Sequence, residues 1–279
     1  LRREAVMTSL GTKSLAQQKF GAAAADYATS TVHARGESLD RLVELVAPEK
    51  RWRVLDVAAG AGHTALALAP HVAKVTASDI TEAMLAEAKK LAAARGFGNV
   101  KTVHAKAEDL PFPDMSFDLV TCRLAAHHFS DVAAFGAEAY RVLMPNGLLA
   151  VVDNISPDQE IFPALSAEDA RHWTKAYDAF EKLRDPSHGH CLSLTAWRDV
   201  LGKAGFDVVA AEHMDQDLEF GPWVTRMRCD EATVARLRAL LQDEPLRDLL
   251  KPRETETDTM FTLQEGIIVA RKPTTPSSR

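Results

Sequence analysis

The sequence predicts an α/β protein built on a mostly parallel sheet, and three observations lead there. A short apolar strand pattern at 52–57 ends in Asp56 and breaks at Gly60 and Gly62 into a helical stretch. A second strand pattern at 74–78 delivers another acid, Asp79, just before a helix pattern at 81–94. Strand patterns then recur at 100–104, 116–122 and 148–153. Such alternation marks βαβ units, whose parallel strands are buried on both faces and read as continuous apolar runs.

Composition narrows the class. The chain has 279 residues, 46% apolar and 26% charged, which is ordinary for a globular protein and excludes the disordered classes. A formal charge of −6 gives no electrostatic reason to expect a nucleic acid or an anionic membrane as partner. Cys122, Cys191 and Cys229 are spaced for neither a disulfide framework nor zinc, which suits a reducing, cytoplasmic setting. No apolar run approaches the ~18 residues of a membrane span. Without repeats or a dividing linker, 1–279 reads as one domain, and nothing in it fixes an oligomeric state.

Residues 12–47 carry helical patterning: Phe20 and Tyr27 come first, then Leu39, Leu42, Val43 and Val46 at helical spacing, and Pro48 ends the run. In WRVLDVAAGAGHTA at 52–65, Val54, Leu55 and Val57 make the strand. Gly60 and Gly62 allow a tight turn whose backbone approaches a ligand without side-chain interference. The helix after it turns unpaired amides towards the loop, which suits an anion. Gly60 to Ala65 fits the loose G-x-G-x-x-G/A dinucleotide fingerprint, with Asp79 roughly 20 residues on. A carboxylate at Asp79 can accept both ribose hydroxyls, and Ile80 offers an apolar face to adenine; equally, the pair can serve as helix cap and core. A nicotinamide-dependent oxidoreductase is one reading of this stretch.

Further on, AKAEDLPF occupies 105–112, and strand 116–122 delivers Arg123 and RLAAHHF to the ligand crevice if the strand order reverses beside the first strand. Ser130 is expected to cap a helix in which Val132, Phe135, Ala139, Val142 and Leu143 share a face. A neutral imidazole takes up a proton near pH 7, so His127 and His128 are candidate bases. Being adjacent, they are expected to point apart. Ser166 and Asp169 pattern as a capping box before a helix whose Trp173, Ala176, Tyr177 and Phe180 line one face, either a lid or core. His188, His190 and Cys191 crowd one turn-rich stretch and are too few for zinc, so no metal is expected. A helix at 197–204, a strand at 206–212, helical patterning at 230–250, a strand at 259–270 and a polar, disordered tail at 272–279 complete the chain.

Together these segments resemble the class I S-adenosylmethionine (SAM) dependent methyltransferases, in particular the ubiquinone and menaquinone C-methyltransferase branch. The likeness rests on DVAAGAG at 56–62, AEDLPF at 107–112, CRLAAHHF at 122–129, EAYRVLMPNG at 138–147 and VVDN at 151–154. Ala58 replaces the first glycine of the usual loop. The resemblance implies a Rossmann-like, seven-stranded sheet with an antiparallel last strand, helices on both faces and a helical lid inserted after strand five. It divides the chain into a cap (12–47), a SAM-binding core (52–154), a lid (155–192) and the rest of the sheet (193–271). It implies SAM as cofactor and S-adenosylhomocysteine as product, held by Tyr27, Asp56, Ala58, Gly60, Gly62, Asp79, Ile80, Ala107, Glu108 and Arg123. The segment carrying Phe20, Tyr27 and His33 would fold over the mouth of the site. Lys106 stands where the family has an acid for the adenine amino group. An ammonium accepts no hydrogen bond, so that contact falls to Glu108 or Asp109 or is missing. The expected reaction is C- or O-methylation of a small aromatic or apolar molecule, with His127 or His128 as base and the lid aromatics as selectors. The competing readings are the oxidoreductase and a SAM-binding protein without catalysis.

Overall fold

The computed structural model describes residues 14, 15, 17–21, 24 and 36–274. Helix α1 (Glu37–Val46) leads to β1 (Arg53–Val57), α2 (His63–Leu68), β2 (Lys74–Asp79), α3 (Glu82–Ala94) and β3 (Val100–His104). Next come β4 (Phe117–Arg123), α4 (Val132–Val142), β5 (Leu143–Asn154), α5 (Ala167–Arg184), α6 (Leu194–Lys203) and β6 (Asp207–Glu219). Helices α7 (Phe220–Arg226), α8 (Glu231–Leu240) and α9 (Leu246–Leu250), the two-residue β7 (Arg253–Glu254) and β8 (Thr259–Arg271) finish the chain.

The strands lie in the order β3-β2-β1-β4-β5-β8-β6, with β7 against β8. Strands β1 to β5 are mutually parallel, and β8 runs antiparallel to both β5 and β6. The order reverses beside β1, so a crevice opens between the carboxyl ends of β1 and β4, where α/β sheets bind ligands. Alternation along β1 sorts its side chains. Leu55 and Val57 join α4 and α6 on one face, where Phe135, Trp197 and Leu201 are buried. Val54 joins α1 and α2 on the other, with Leu42, Val46 and Leu68.

A third apolar cluster sits off this sandwich. Tyr177 and Phe180 of α5 pack with Phe220 and Trp223 of α7, Leu237 of α8, Leu249 and Leu250 of α9, and Leu218 and Phe261 of the β6/β8 ribbon. Phe180 stacks on Trp223 at 5.2 Å, and Trp223 meets Phe261 edge-on at 5.0 Å. That ribbon outruns the rest of the sheet. The last β5 pair is Asn154 with Glu265, whereas β6 continues to pair with β8 as far as Glu219 with Met260.

The structure corrects four expectations. Strand six does not stop at 212 but continues to Glu219, its alternating His213, Asp215 and Asp217 having hidden the strand period. The helical stretch at 230–250 is two helices, interrupted at 241–245 with Pro245 at the second start. The cap of α4 is Asp131, whose carboxylate accepts from the Ala134 amide, while Ser130 is engaged by Glu108. Lys272 is no part of a disordered tail: its ammonium donates to the Tyr140 and Leu143 carbonyls, and its backbone pairs with Asn146 and Gly147. Ser166 does cap α5 as its pattern implies, accepting from the Asp169 amide and donating to its carboxylate.

Candidate active site

The loop after β1 turns through three left-handed residues, Ala58 (φ 53°), Gly60 (φ 53°) and Gly62 (φ 84°). At Gly62 a side chain is also excluded sterically, since a Cβ would lie 2.9 Å from Ala88 Cβ on α3. Asp56 braces the loop from behind. Its carboxylate accepts from Thr121 Oγ1 (2.7 Å) and the Ala65 amide (3.0 Å), and burial raises its pKa to about 7 against those two hydrogen bonds. Neither Asp56 nor Gly62 lines the cavity in front of the loop; both shape it.

That cavity measures about 420 Å³. Ala58, Gly60, Asp79, Ile80, Ala107, Glu108 and Arg123 all line it, so seven residues singled out from the sequence meet in one space. Asp79 ends β2 and accepts from the Gly60 amide (2.9 Å) and the Thr81 amide (2.8 Å), which ties the glycine loop to the start of α3. Burial pushes its pKa upward, and these bonds oppose the rise. Glu108, not Asp109, faces the cavity beside Lys106, whose ammonium lies 3.8 Å from it. Burial would raise the Glu108 carboxyl, but Ser130 donates to it from hydroxyl and amide and its pKa ends below the usual range. Phe20 lines the mouth, its ring edge-on to His128 at 5.0 Å, while Tyr27 and His33 lie outside the described residues.

Both histidines line the same cavity, contrary to the expectation that neighbours diverge. They sit in a 3₁₀ turn, Ala126–His128, which brings their rings to 4.2 Å at a 50° tilt. His127 is held by Asp153 at the end of β5: its amide donates to Oδ2 (2.8 Å) and its Nδ1 to Oδ1 (2.6 Å). A carboxylate only accepts, so Nδ1 carries the proton and Nε2 keeps a lone pair. Burial lowers the His127 pKa, yet the Asp153 charge and hydrogen bond outweigh it and the net shift is upward. His128 is buried without such support, beside His127, and its pKa falls well below the ordinary value. Its Nδ1 donates to the Ser187 carbonyl at 3.1 Å.

The far wall comes from elements whose role the sequence did not disclose. Glu181, Arg184 and Asp185 at the end of α5 line it with His188, Trp223, Arg226 and the ribbon residues Gln216, Leu218, Leu263 and Glu265. Glu181 Oε1 and Glu265 Oε2 are buried there without a hydrogen-bond partner among the described residues. The lid aromatics expected as selectors do not line the cavity: Trp173, Tyr177 and Phe180 are absent from its wall, because that face of α5 packs into the third cluster. The available signal was the polar run Glu181, Arg184, Asp185 closing an otherwise amphipathic helix just before His188.

The loop, the acids and the motif strands match a methyltransferase domain family over residues 55–151. The uncharacterized methyltransferase YcgJ of Bacillus subtilis is 36% identical over 200 residues, covering 72% of this chain and 75% of its own. The chain belongs to the class I SAM-dependent methyltransferases. The crystal structure of the Bacillus subtilis YcgJ protein superposes with a TM-score of 0.76 at 30% identity, covering 85% of this chain and 98% of that one. A demethylmenaquinone methyltransferase of Thermus thermophilus is 39% identical over 124 residues, 44% of this chain and 56% of its own. SAM follows from membership of this methyltransferase class, and the wall near Gly60 fits it. Asp79 accepts from the Gly60 amide and from Thr81, which still leaves acceptor capacity on its carboxylate. Among the described residues, Glu108 is a carboxylate bordering the cavity beyond Ala107.

Proposed function

We propose that this methyltransferase methylates a small molecule bearing an ionisable hydroxyl or an acidic carbon, by in-line displacement, with His127 as base. The observation that carries this reading is one cavity joining the Gly60 and Asp79 wall to the buried His127–Asp153 pair. Bound SAM supplies an electrophilic methyl group on a sulfonium. Asp79 would hold the ribose hydroxyls, Ile80 would offer its apolar face to adenine, Glu108 would accept from the adenine amino group and Arg123 would pair with the methionyl carboxylate.

His127 Nε2 removes the acceptor's proton, and Asp153 stabilises the resulting imidazolium through Nδ1, the arrangement that general-base catalysis requires. His128, kept neutral, packs beside it. Leu218, Trp223 and Leu263 offer an apolar bed for the acceptor's body, and Glu181 Oε1 and Glu265 Oε2 await its donors. Holding nucleophile and methyl carbon in line provides the rest of the acceleration.

Calorimetric titration with SAM, S-adenosylhomocysteine and NAD, followed by labelled methyl transfer to a panel of phenols, quinols and β-dicarbonyl compounds, tests this reading. Binding of SAM or its product without NAD, and label in a small hydroxylated or carbon-acid acceptor, is expected. Label entering only protein or RNA would overturn it.

A further inference from the structure

We propose that Asp178, His188 and Cys191 form a binding site for a single Zn²⁺ ion that clasps helix α5 to the loop preceding α6. The sequence places His188, His190 and Cys191 in one stretch too poor in ligands for zinc; the fold brings Asp178 to them from a turn and a half before the end of α5. His188 Nε2, Cys191 Sγ and an Asp178 carboxylate oxygen all lie within 4.8 Å of one another.

The carboxylate is hydrogen-bonded from outside the trio and by the Cys191 amide, which reaches Asp178 Oδ1 at 3.3 Å, but the three candidate ligand atoms are only loosely joined to one another. His188 Nε2 stands 3.4 Å from Asp178 Oδ1 and 3.9 Å from Cys191 Sγ. Both are long for strong hydrogen bonds. They approach instead the edges of a tetrahedron, which for zinc bonds of ~2.0–2.3 Å are roughly 3.3–3.6 Å. One thiolate, one imidazole and one carboxylate suit Zn²⁺ and not Mg²⁺ or Ca²⁺, which take oxygen ligands.

The surroundings are those of a supported site. His190 Nδ1 contacts the other carboxylate oxygen, Asp178 Oδ2, at 2.5 Å, orienting Asp178 as outer partners orient ligands. Cys191 and His188 are buried, whereas Asp178 is partly and His190 half exposed, which leaves an approach from solvent on the Asp178 side. On binding, the Cys191 thiol gives its proton to solvent, His188 contributes the Nε2 lone pair, and no redox change occurs. His188 also borders the cavity and stacks on His127 at 5.2 Å, so the ion would stiffen that wall without touching the reacting groups.

The test is a titration of the chelator-treated full chain with Co²⁺, then with Zn²⁺. One equivalent of Co²⁺ should bind and give a near-ultraviolet thiolate-to-cobalt absorption, which Zn²⁺ then abolishes. Cys191→Ser should lose that absorption while keeping its far-ultraviolet circular dichroism, and Cys229→Ser should keep it. Asp178→Asn, a variant of a partly exposed residue that serves even if the serine variant misfolds, should weaken Zn²⁺ binding at least tenfold, about 1.4 kcal/mol. Absence of Co²⁺ uptake, uptake without thiolate absorption, absorption that survives Cys191→Ser, or unchanged affinity in Asp178→Asn would overturn the proposal.

Discussion

At Asp79 one carboxylate is asked to do two things, holding the Gly60 and Thr81 amides and, in the proposed complex, the ribose. Asp79→Ala should weaken SAM binding at least tenfold, about 1.4 kcal/mol, in calorimetry; unchanged affinity would leave it only the loop-bracing role. Ala58 sits in left-handed backbone, which costs an L-residue about 1–2 kcal/mol, while glycine adds roughly 0.4–1 kcal/mol of unfolded-state entropy. Ala58→Gly should therefore stabilise by about 0–1.6 kcal/mol in denaturant unfolding, and a clear loss would contradict the strain assigned there. His127 must be neutral to accept a proton. Its raised pKa places the acid limb of the kcat profile above the ordinary histidine value of 6.5, activity falling as pH drops through it. Asp153→Asn should lower kcat by about 10²–10⁴-fold and move that limb to lower pH. A limb unmoved by the variant would remove His127 from the proton path. The Gly60 loop, Asp79 and the histidines were legible in the sequence because each follows directly from a strand end. Asp153 was seen only as part of VVDN, since its role depends on β5 lying beside β4, a pairing that local pattern does not encode.

Helix α5 shows how an element can be read correctly and its purpose misjudged. The amphipathic period placed Tyr177 and Phe180 on one face, but whether that face meets a ligand or a core depends on α7, α8 and α9, which lie some 40 or more residues later in the chain. Phe180→Ala should cost about 3–5 kcal/mol of stability, yet leave the acceptor KM of the folded protein within a few fold. Glu181→Gln, one residue away but facing the cavity, should raise that KM at least tenfold with little change in stability. Equal effects of the two on KM would return the aromatic face to substrate selection. Strand β6 was underread for a related reason. Its burial alternates with exposure over thirteen residues, and the acidic positions on its open side resemble a loop until β8 is seen beside it.

At the scale of the molecule, the buried charge of Asp56 shapes how stability responds to pH. A folded pKa of about 7 against an unfolded value of roughly 3.9 means that the folded state holds the extra proton between them. The stabilisation from this group is complete below the lower value and is lost as pH rises through about 7. The stability of the wild type relative to Asp56→Asn should thus fall between pH 4 and 8, by up to about 4 kcal/mol, in urea unfolding. A pH-independent difference would show that Asp56 titrates normally. The parallel run of β1 to β5 was legible because three of its four steps are local strand–helix units, and β3 reaches β4 through the loop at 105–116. The far wall was not, because it is assembled from α5, α7, β6 and β8, elements more than 30 residues from the glycine loop and joined only by long-range pairing. The β6/β8 ribbon outruns β5 by five residue pairs and carries Gln216, Leu218 and Leu263 on that stretch. It is a cantilever: β5 supports one end through its pairing with β8, and the free end borders the cavity. Under the proposed function, mutations accumulating on the overhang would retune which molecule is methylated while the machinery assigned to the methyl donor stays as it was, so one scaffold would diversify its chemistry at the tip alone.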